Sequence, residues 1–338
     1  MKPEIKKIYV QNSAVKYSKH ILSKINMPYE IIEDDENING DKSTLLLAVK
    51  KGDFVKPCPC SNDSISCSYY NINYMEGCLF DCSYCILQLY LKNKPVTVYV
   101  NFHNLINELD KILSTGKFIR LGPGELADSL LLEKYTGFAH RLIEYFKDKN
   151  ALLEIKTKDH RVDSILDAEH AGKTVISFSV NPEKIVTNEE YFASSLENRV
   201  LALKKCIDNN YFVGLHFDPV IIYKGWEPDY KATVEYIASE IPHNKIKWIS
   251  IGFLRFPLQL KSIIKENHVS SNLLTGELVK TSSGKMRYFI KLRQKGYEYM
   301  KNIIKEYFPG VNFYYCMETR FVWKQHSDAL YNLKKINE

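Results

Sequence analysis

Short β-rich runs alternate with stretches of helical periodicity along most of the chain, the pattern of successive βα units. Apolar and β-branched runs predict strands near Ser68–Tyr74, Lys117–Leu121, Leu152–Lys156, Thr174–Val180, Tyr211–Phe217 and Lys247–Leu254. Amphipathic periodicity predicts helices over Asn104–Leu113, Ser129–Phe146, Val162–His170, Leu196–Asn209 and Tyr230–Ile241. A further helical pattern covers Met286–Tyr307, and Val311–Tyr315 reads as the end of a final strand. Six βα repeats imply an α/β fold with a parallel sheet curved into a partial barrel. The expected divisions are an N-terminal extension (1–66), the barrel (67–255) and a C-terminal region (256–338). Parallel sheets of this kind carry their chemistry in loops at the C-terminal strand ends. Each expected end is polar: a cysteine loop after the first strand, then Gly122-Pro123-Gly124-Glu125, Thr157-Lys158, Ser179-Val180-Asn181, Asp218 and Arg255. One such residue is an ordinary cap, but six around one mouth suit a small polar ligand.

Composition narrows the class. Of 338 residues, 45% are hydrophobic and 25% charged, the balance of a soluble globular protein. No run approaches the ~18 consecutive apolar residues of a membrane span, and the start MKPEIKKIYV lacks the features of a signal peptide. The expectation is a cytoplasmic, monomeric protein. Its net charge of +6 is unevenly placed: from Arg255 onward there are 15 Lys/Arg against 7 Asp/Glu. Aromatic residues interleave with these basic ones, among them Tyr288, Phe289, Tyr297, Tyr299, Phe313, Tyr314, Tyr315 and Trp323. Basic groups neutralise phosphates and aromatics stack on bases, so the segment suits nucleic acid. A solvated basic face over an aromatic core would give the same composition.

Cysteine changes the picture most. Six of the eight cysteines lie between Cys58 and Cys85, and such clustering points to metal or redox chemistry in a reducing compartment. The sharpest piece is Cys78-Leu79-Phe80-Asp81-Cys82-Ser83-Tyr84-Cys85, a C-x3-C-x2-C run. Three thiolates at this spacing can hold three irons of a [4Fe–4S] cube and leave the fourth open to a small molecule. A zinc site with a distant fourth ligand is the competing reading.

The run resembles the signature of the radical S-adenosylmethionine (SAM) superfamily, including the aromatic Tyr84 before the third cysteine. Along the chain the resemblance is greatest to the spore photoproduct lyase family. It is carried by Asp81–Tyr90 with its Leu87-Gln88 pair, Ile155–Lys158, Phe178–Pro182, Ser195–Arg199, Phe217–Val220 and Lys224–Glu227. The resemblance implies a partial (β/α)6 barrel of the radical SAM type, a [4Fe–4S] cluster on Cys78, Cys82 and Cys85, and SAM on its open iron. It further implies a radical lyase that returns a thymine photoproduct in DNA to two thymines. SAM would meet Lys158 at its carboxylate, Glu125 and Gly124 at its amino group, and the backbone of Tyr84 near its adenine. Gly122, Ser179, Asn181, Arg199 and Asp218 complete the expected cofactor-binding set. A reductant of flavodoxin or ferredoxin type would supply electrons.

Two departures stand out. The family's spore-former enzyme carries a hydrogen-donating cysteine in the loop after the second strand, where this chain has Gly-Pro-Gly-Glu, and Ile86 replaces the tyrosine that follows the third cluster cysteine. Glu125 stands nearest the missing thiol. The resemblance gives no role to Cys58, Cys60, Cys67 and Cys316, for which a second iron–sulfur cluster, a substitute hydrogen donor and plain packing all stay open. Cys316 and its neighbour Tyr315 are therefore kept with Glu125 as catalytic candidates. Cys206, on an apolar helix face, reads as core. Beside DNA repair stand two other expectations: the same scaffold acting on RNA, a peptide or a metabolite, and a non-enzymatic metal-stapled nucleic-acid-binding module.

Overall fold

The computed structural model describes residues 4–60, 64–325 and 327–337. Its main sheet contains seven parallel strands in sequential spatial order, joined by crossover connections. They are β1 (Tyr69–Ile72), β2 (Ile119–Gly122), β3 (Ala151–Thr157), β4 (Thr174–Ser179), β5 (Phe212–Val220), β6 (Ile246–Phe253) and β7 (Phe313–Tyr315). Val55–Pro57 pairs antiparallel on the outer edge of β1. Six strands fall where the periodicity placed them, and the sheet curls into the expected partial barrel. β3 and β4 are buried almost throughout, as strands covered on both faces must be.

The flanking helices are α1 (Phe102–Leu113), α2 (Phe138–Phe146), α3 (Leu196–Asp208), α4 (Trp226–Glu240) and α5 (Ile290–Tyr307). Three expected helices are revised. Val162–His170 forms only a tight turn at Asp163–Ile165. Its buried residues Val162, Ile165 and Ala168 recur every third position, which suits the tighter three-residue turn. The helix expected over Ser129–Phe146 is split into a single turn at Glu133–Thr136 and α2 from Phe138, because Gly137 between them takes a left-handed conformation (φ +62°) that an α-helix cannot continue through. Glu133 then caps α2, accepting from the amides of Ala139 and His140 at 2.9 Å each. The helix expected from Met286 starts at Ile290, since Lys285–Tyr288 is a strand of a three-stranded antiparallel sheet with Arg255–Pro257 and Leu278–Lys280.

Strand pairing runs across both boundaries drawn from the sequence. A second sheet joins Lys7–Gln11, Glu30–Ile32 and Thr44–Ala48 to Val96–Tyr99 and Met75–Glu76. β7, from the C-terminal region, completes the main sheet beside β6. Cys206 lies fully buried in α3. No helix among the described residues is long and apolar enough to cross a membrane.

Candidate active site

The C-terminal strand ends enclose a cavity of about 280 Å³. On one side it is walled by the loop after β1, with Cys78, Cys82, Tyr84 and Cys85. Several bonds fix that loop. Asp81–Cys82 pairs antiparallel with Glu190–Tyr191, and Ser83 N–H donates to Glu189 O at 2.8 Å. Gln88 Nε2 donates to the carbonyls of Cys82 and Ser83 at 3.0 and 3.1 Å, a physical role for the Leu-Gln pair noted in the sequence. Phe80, Cys82 and Leu131 form a small apolar cluster packed by Leu79, Tyr84 and Ala193, separate from the main core.

Burial pushes the Cys78 thiol up to about 12 and raises those of Cys82 and Cys85 as well. Such thiols ionise only beside strong positive charge, and a coordinated metal centre supplies it. Three sulfurs of one loop, on a shared cavity inside an apolar jacket, fit an iron–sulfur cube with one open corner. Among the described residues no three His, Cys, Asp or Glu side chains gather tightly enough for a single ion.

Strand β3 supplies the next wall. Glu154 and Lys156 line the cavity from one face of the strand, and Thr157 and Lys158 follow where it ends. Lys158 Nζ lies 5.7 Å over the Tyr84 ring. Burial lowers the Lys158 pKa, but the Glu190 carboxylate nearby opposes it and the pKa lies above its ordinary value. Asp128 ties the β2 loop to β3, accepting from Thr157 Oγ1 at 2.8 Å and Lys158 N–H at 2.7 Å; burial raises its pKa to about 6. Glu154 accepts from His216 Nε2 at 2.7 Å, Ser177 Oγ at 2.7 Å and Trp248 Nε1 at 3.0 Å.

Of the residues expected at the site, Gly124, Glu125, Lys158, Ser179, Asp218 and Cys316 line the same cavity as the cluster cysteines. Gly124 adopts φ +108°, with Lys156 Cβ only 3.0 Å from where a Cβ would sit, so glycine is what turns this loop into the mouth. Burial raises the Glu125 carboxyl above its ordinary range, with Lys156 opposing.

Gly122, Asn181, Arg199 and Tyr315 are not part of this lining. A Cβ on Gly122 would stand 1.9 Å from Glu154 O, so close packing of β2 on β3 requires glycine here. Asn181 and Arg199 stand behind the wall. Arg199 is fully buried and donates to Glu190 Oε2 at 2.5 Å, Ser179 O at 2.9 Å and Ser194 O at 2.9 Å. Asn181 donates to Glu190 Oε1 at 2.9 Å, and the Tyr84 hydroxyl donates to the same oxygen. Tyr315 faces away from the cavity, against Tyr297 and Trp323 with ring centroids at 4.2 and 5.1 Å, because its neighbours Tyr314 and Cys316 occupy the inner face.

Cys58, Cys67 and Cys316 line the cavity opposite or beside the cluster loop, but Cys60 is not part of its lining and hydrogen-bonds Cys58 with sulfurs 4.0 Å apart. Cys60, Cys67 and Cys316 all act electrostatically on the Cys58 thiol, so the four thiols considered for a second cluster are neighbours. Glu190, Asp128, Glu154, Lys156, His216, Tyr69 and Tyr314 were missed by the sequence reading. A period-of-two count from Lys158, Asp218 and Cys316 would have reached Lys156, Glu154, His216 and Tyr314.

The aromatic and basic C-terminal segment divides. Tyr288, Tyr297, Phe313, Tyr314, Tyr315 and Trp323 are core, and Arg287 and Arg293 are 2% and 4% exposed against Glu318. Lys280, Lys291 and Lys295 remain exposed, with Phe289 at 46%.

A partial barrel with a three-cysteine loop after its first strand, and a charged cavity at its mouth, defines a radical SAM protein. The family model "Spore photoproduct lyase" matches residues 11–317. The spore photoproduct lyase of Bacillus subtilis is 30% identical over 69% of this chain and 68% of its own, and that of Clostridium acetobutylicum is 25% identical over 82% of each. A solved spore photoproduct lyase complexed with dinucleoside spore photoproduct superposes with a TM-score of 0.82 at 21% identity, covering 94% of this chain and 100% of that one. This chain belongs to the spore photoproduct lyase family.

Proposed function

We propose that the protein is a radical SAM lyase that returns the thymine photoproduct of spore DNA to two thymines at the cavity between the Cys78 loop and β7. The observation that carries this reading is the convergence of Cys78, Cys82, Cys85, Glu125 and Lys158 on one space. When bound, the cluster and SAM supply a 5′-deoxyadenosyl radical that takes a hydrogen atom from the substrate. The protein's part is to place and protect. Lys158 presents an ammonium to the SAM carboxylate, and Glu125 presents a carboxylate to its amino group, each a charge-assisted contact. Glu190, held by Arg199, Asn181 and Tyr84, keeps Lys158 charged beside the cluster loop. SAM turnover that rises with lesion-bearing DNA, and not with undamaged DNA, tests the reading.

Lys158→Met and Glu125→Gln are each expected to weaken SAM binding about tenfold or more, since a charge-assisted hydrogen bond contributes about 1.5–3 kcal/mol. Equilibrium dialysis of the reconstituted protein measures this.

DNA is the substrate best matched by the exposed lysines Lys280, Lys291 and Lys295 and the exposed Phe289. Neutralising all three should flatten the log–log salt slope of DNA binding by about two to three units if each meets a phosphate. RNA, a peptide or a metabolite is less well matched. A separate cavity of about 370 Å³ also reaches Cys78 and Cys85, between Lys42, Lys92 and Lys94. Asp41 and Asp81 share that lining and Lys42 pairs with Asp81, which leaves Lys92 and Lys94 as the charges best placed for an acidic one-electron donor of flavodoxin or ferredoxin type. The eight cysteines are all free, which suits a reducing cytoplasm.

A further inference from the structure

Resting on that reading, we infer that Cys316 is the thiol that returns a hydrogen atom to the product radical, from the β7 end of the cavity rather than from the loop after β2. The photoproduct and two thymines are isomers, so a hydrogen atom removed at the start must be replaced at the end. The loop after β2 holds Gly122-Pro123-Gly124-Glu125, and a carboxylic acid is a poor hydrogen-atom donor to a carbon radical. Thiols are good ones, because the S–H bond is weaker than the C–H bond formed.

Three thiols outside the cluster loop line the cavity, and their surroundings separate them. The Cys58 sulfur is engaged with Cys60. Cys67 lies on the approach to β1, ahead of the strand pairing that begins at Tyr69. Cys316 is fixed on both sides. Its N–H donates to Ile251 O at 2.8 Å, extending the β6–β7 pairing past Tyr315. Arg255 Nη2 reaches its sulfur at 3.4 Å, and Asp218 holds that guanidinium at 2.9 and 3.2 Å while hydrogen-bonding the thiol. Burial and the Asp218 carboxylate raise the thiol pKa well above 9.0, so the S–H bond is intact at neutral pH.

The same cavity holds an unsatisfied donor. Tyr69, a residue 4% exposed, lines it, and its buried hydroxyl has no hydrogen-bond partner among the described residues. A buried donor of this kind is costly unless a ligand atom completes it.

In the proposed step the Cys316 S–H bond breaks, a C–H bond forms on the thymine radical, and a thiyl radical is left on sulfur. One electron from the low-potential donor that serves the cluster, with one proton from solvent, restores the thiol.

The test uses the full-length reconstituted protein, a lesion-bearing dinucleotide and D2O. Thiol hydrogens exchange with solvent, so wild type should place one solvent deuterium in each repaired thymine pair. Cys316→Ser keeps the contacts to Arg255 and Asp218 but its O–H bond is too strong to donate. It should lose that deuterium and at least tenfold of the repair yield, while iron content, melting temperature and 5′-deoxyadenosine release are retained. Cys316→Ala should behave alike. Wild-type deuterium transfer in Cys316→Ser overturns the inference, as does its loss in Cys58→Ala, Cys67→Ala or Tyr69→Phe with retention in Cys316→Ser. A wild type that repairs without solvent deuterium overturns this inference alone; one inert on the lesion overturns the functional reading with it.

Discussion

Replacing Cys78, Cys82 and Cys85 together by alanine is expected to abolish iron binding and all 5′-deoxyadenosine formation while leaving the protein folded. The first half follows from chemistry: these are the three sulfurs of the β1 loop that face the cavity, and without thiolates nothing in the loop holds iron. The second half follows from packing. The loop forms its own small apolar cluster outside the main core, and alanine in place of each thiol removes little of the buried surface that sustains the barrel. Brown colour, iron and sulfide content, and far-ultraviolet circular dichroism measure the two halves separately. Residual 5′-deoxyadenosine in the triple variant would show that the cluster sits elsewhere.

The second large effect is at Glu190. Its carboxylate is fully buried and bonded by Arg199, Asn181 and Tyr84, with Lys158 nearby. Glu190→Ala leaves the Arg199 guanidinium uncompensated in the interior, and breaking a buried pair in this way costs about 3–5 kcal/mol. The variant should unfold at markedly lower denaturant than wild type and bind SAM more weakly through a displaced Lys158. The pair also has a pH signature. Although burial alone would raise the Glu190 pKa, Arg199 and Lys158 bring it to about 2, below its ordinary 4.5. A carboxyl with a depressed folded-state pKa contributes its stability in full above the unfolded value and loses it as pH falls through the folded one. Wild type should therefore lose this contribution between about pH 4.5 and pH 2, and Glu190→Ala should lack that part of the acid dependence.

What could be read from the sequence was what local spacing encodes. The cysteine run fixes three ligands within eight residues, and β-branched runs such as Thr174–Ser179 mark strands whose ends then locate the mouth. What resisted reading depends on facts that spacing does not carry. Tyr315 and Tyr314 are adjacent aromatics, and only the pairing of β7 with β6 decides which faces inward. Glu190 gains its importance from Arg199, Tyr84 and Asn181, three residues on different elements. Arg287 and Arg293 count as basic residues in composition, but Glu318 draws both into the interior, away from any phosphate. The second sheet was invisible because its strands are short and separated by tens of residues.

The most direct test is anaerobic incubation of the reconstituted protein with SAM, a strong reductant and an oligonucleotide carrying a single 5-thyminyl-5,6-dihydrothymine lesion, followed by digestion and mass analysis. The expected result is disappearance of the lesion with stoichiometric appearance of the intact thymine pair, and no such conversion by the Cys78/Cys82/Cys85 triple alanine variant. Steady release of 5′-deoxyadenosine over an unchanged lesion would contradict a photoproduct lyase.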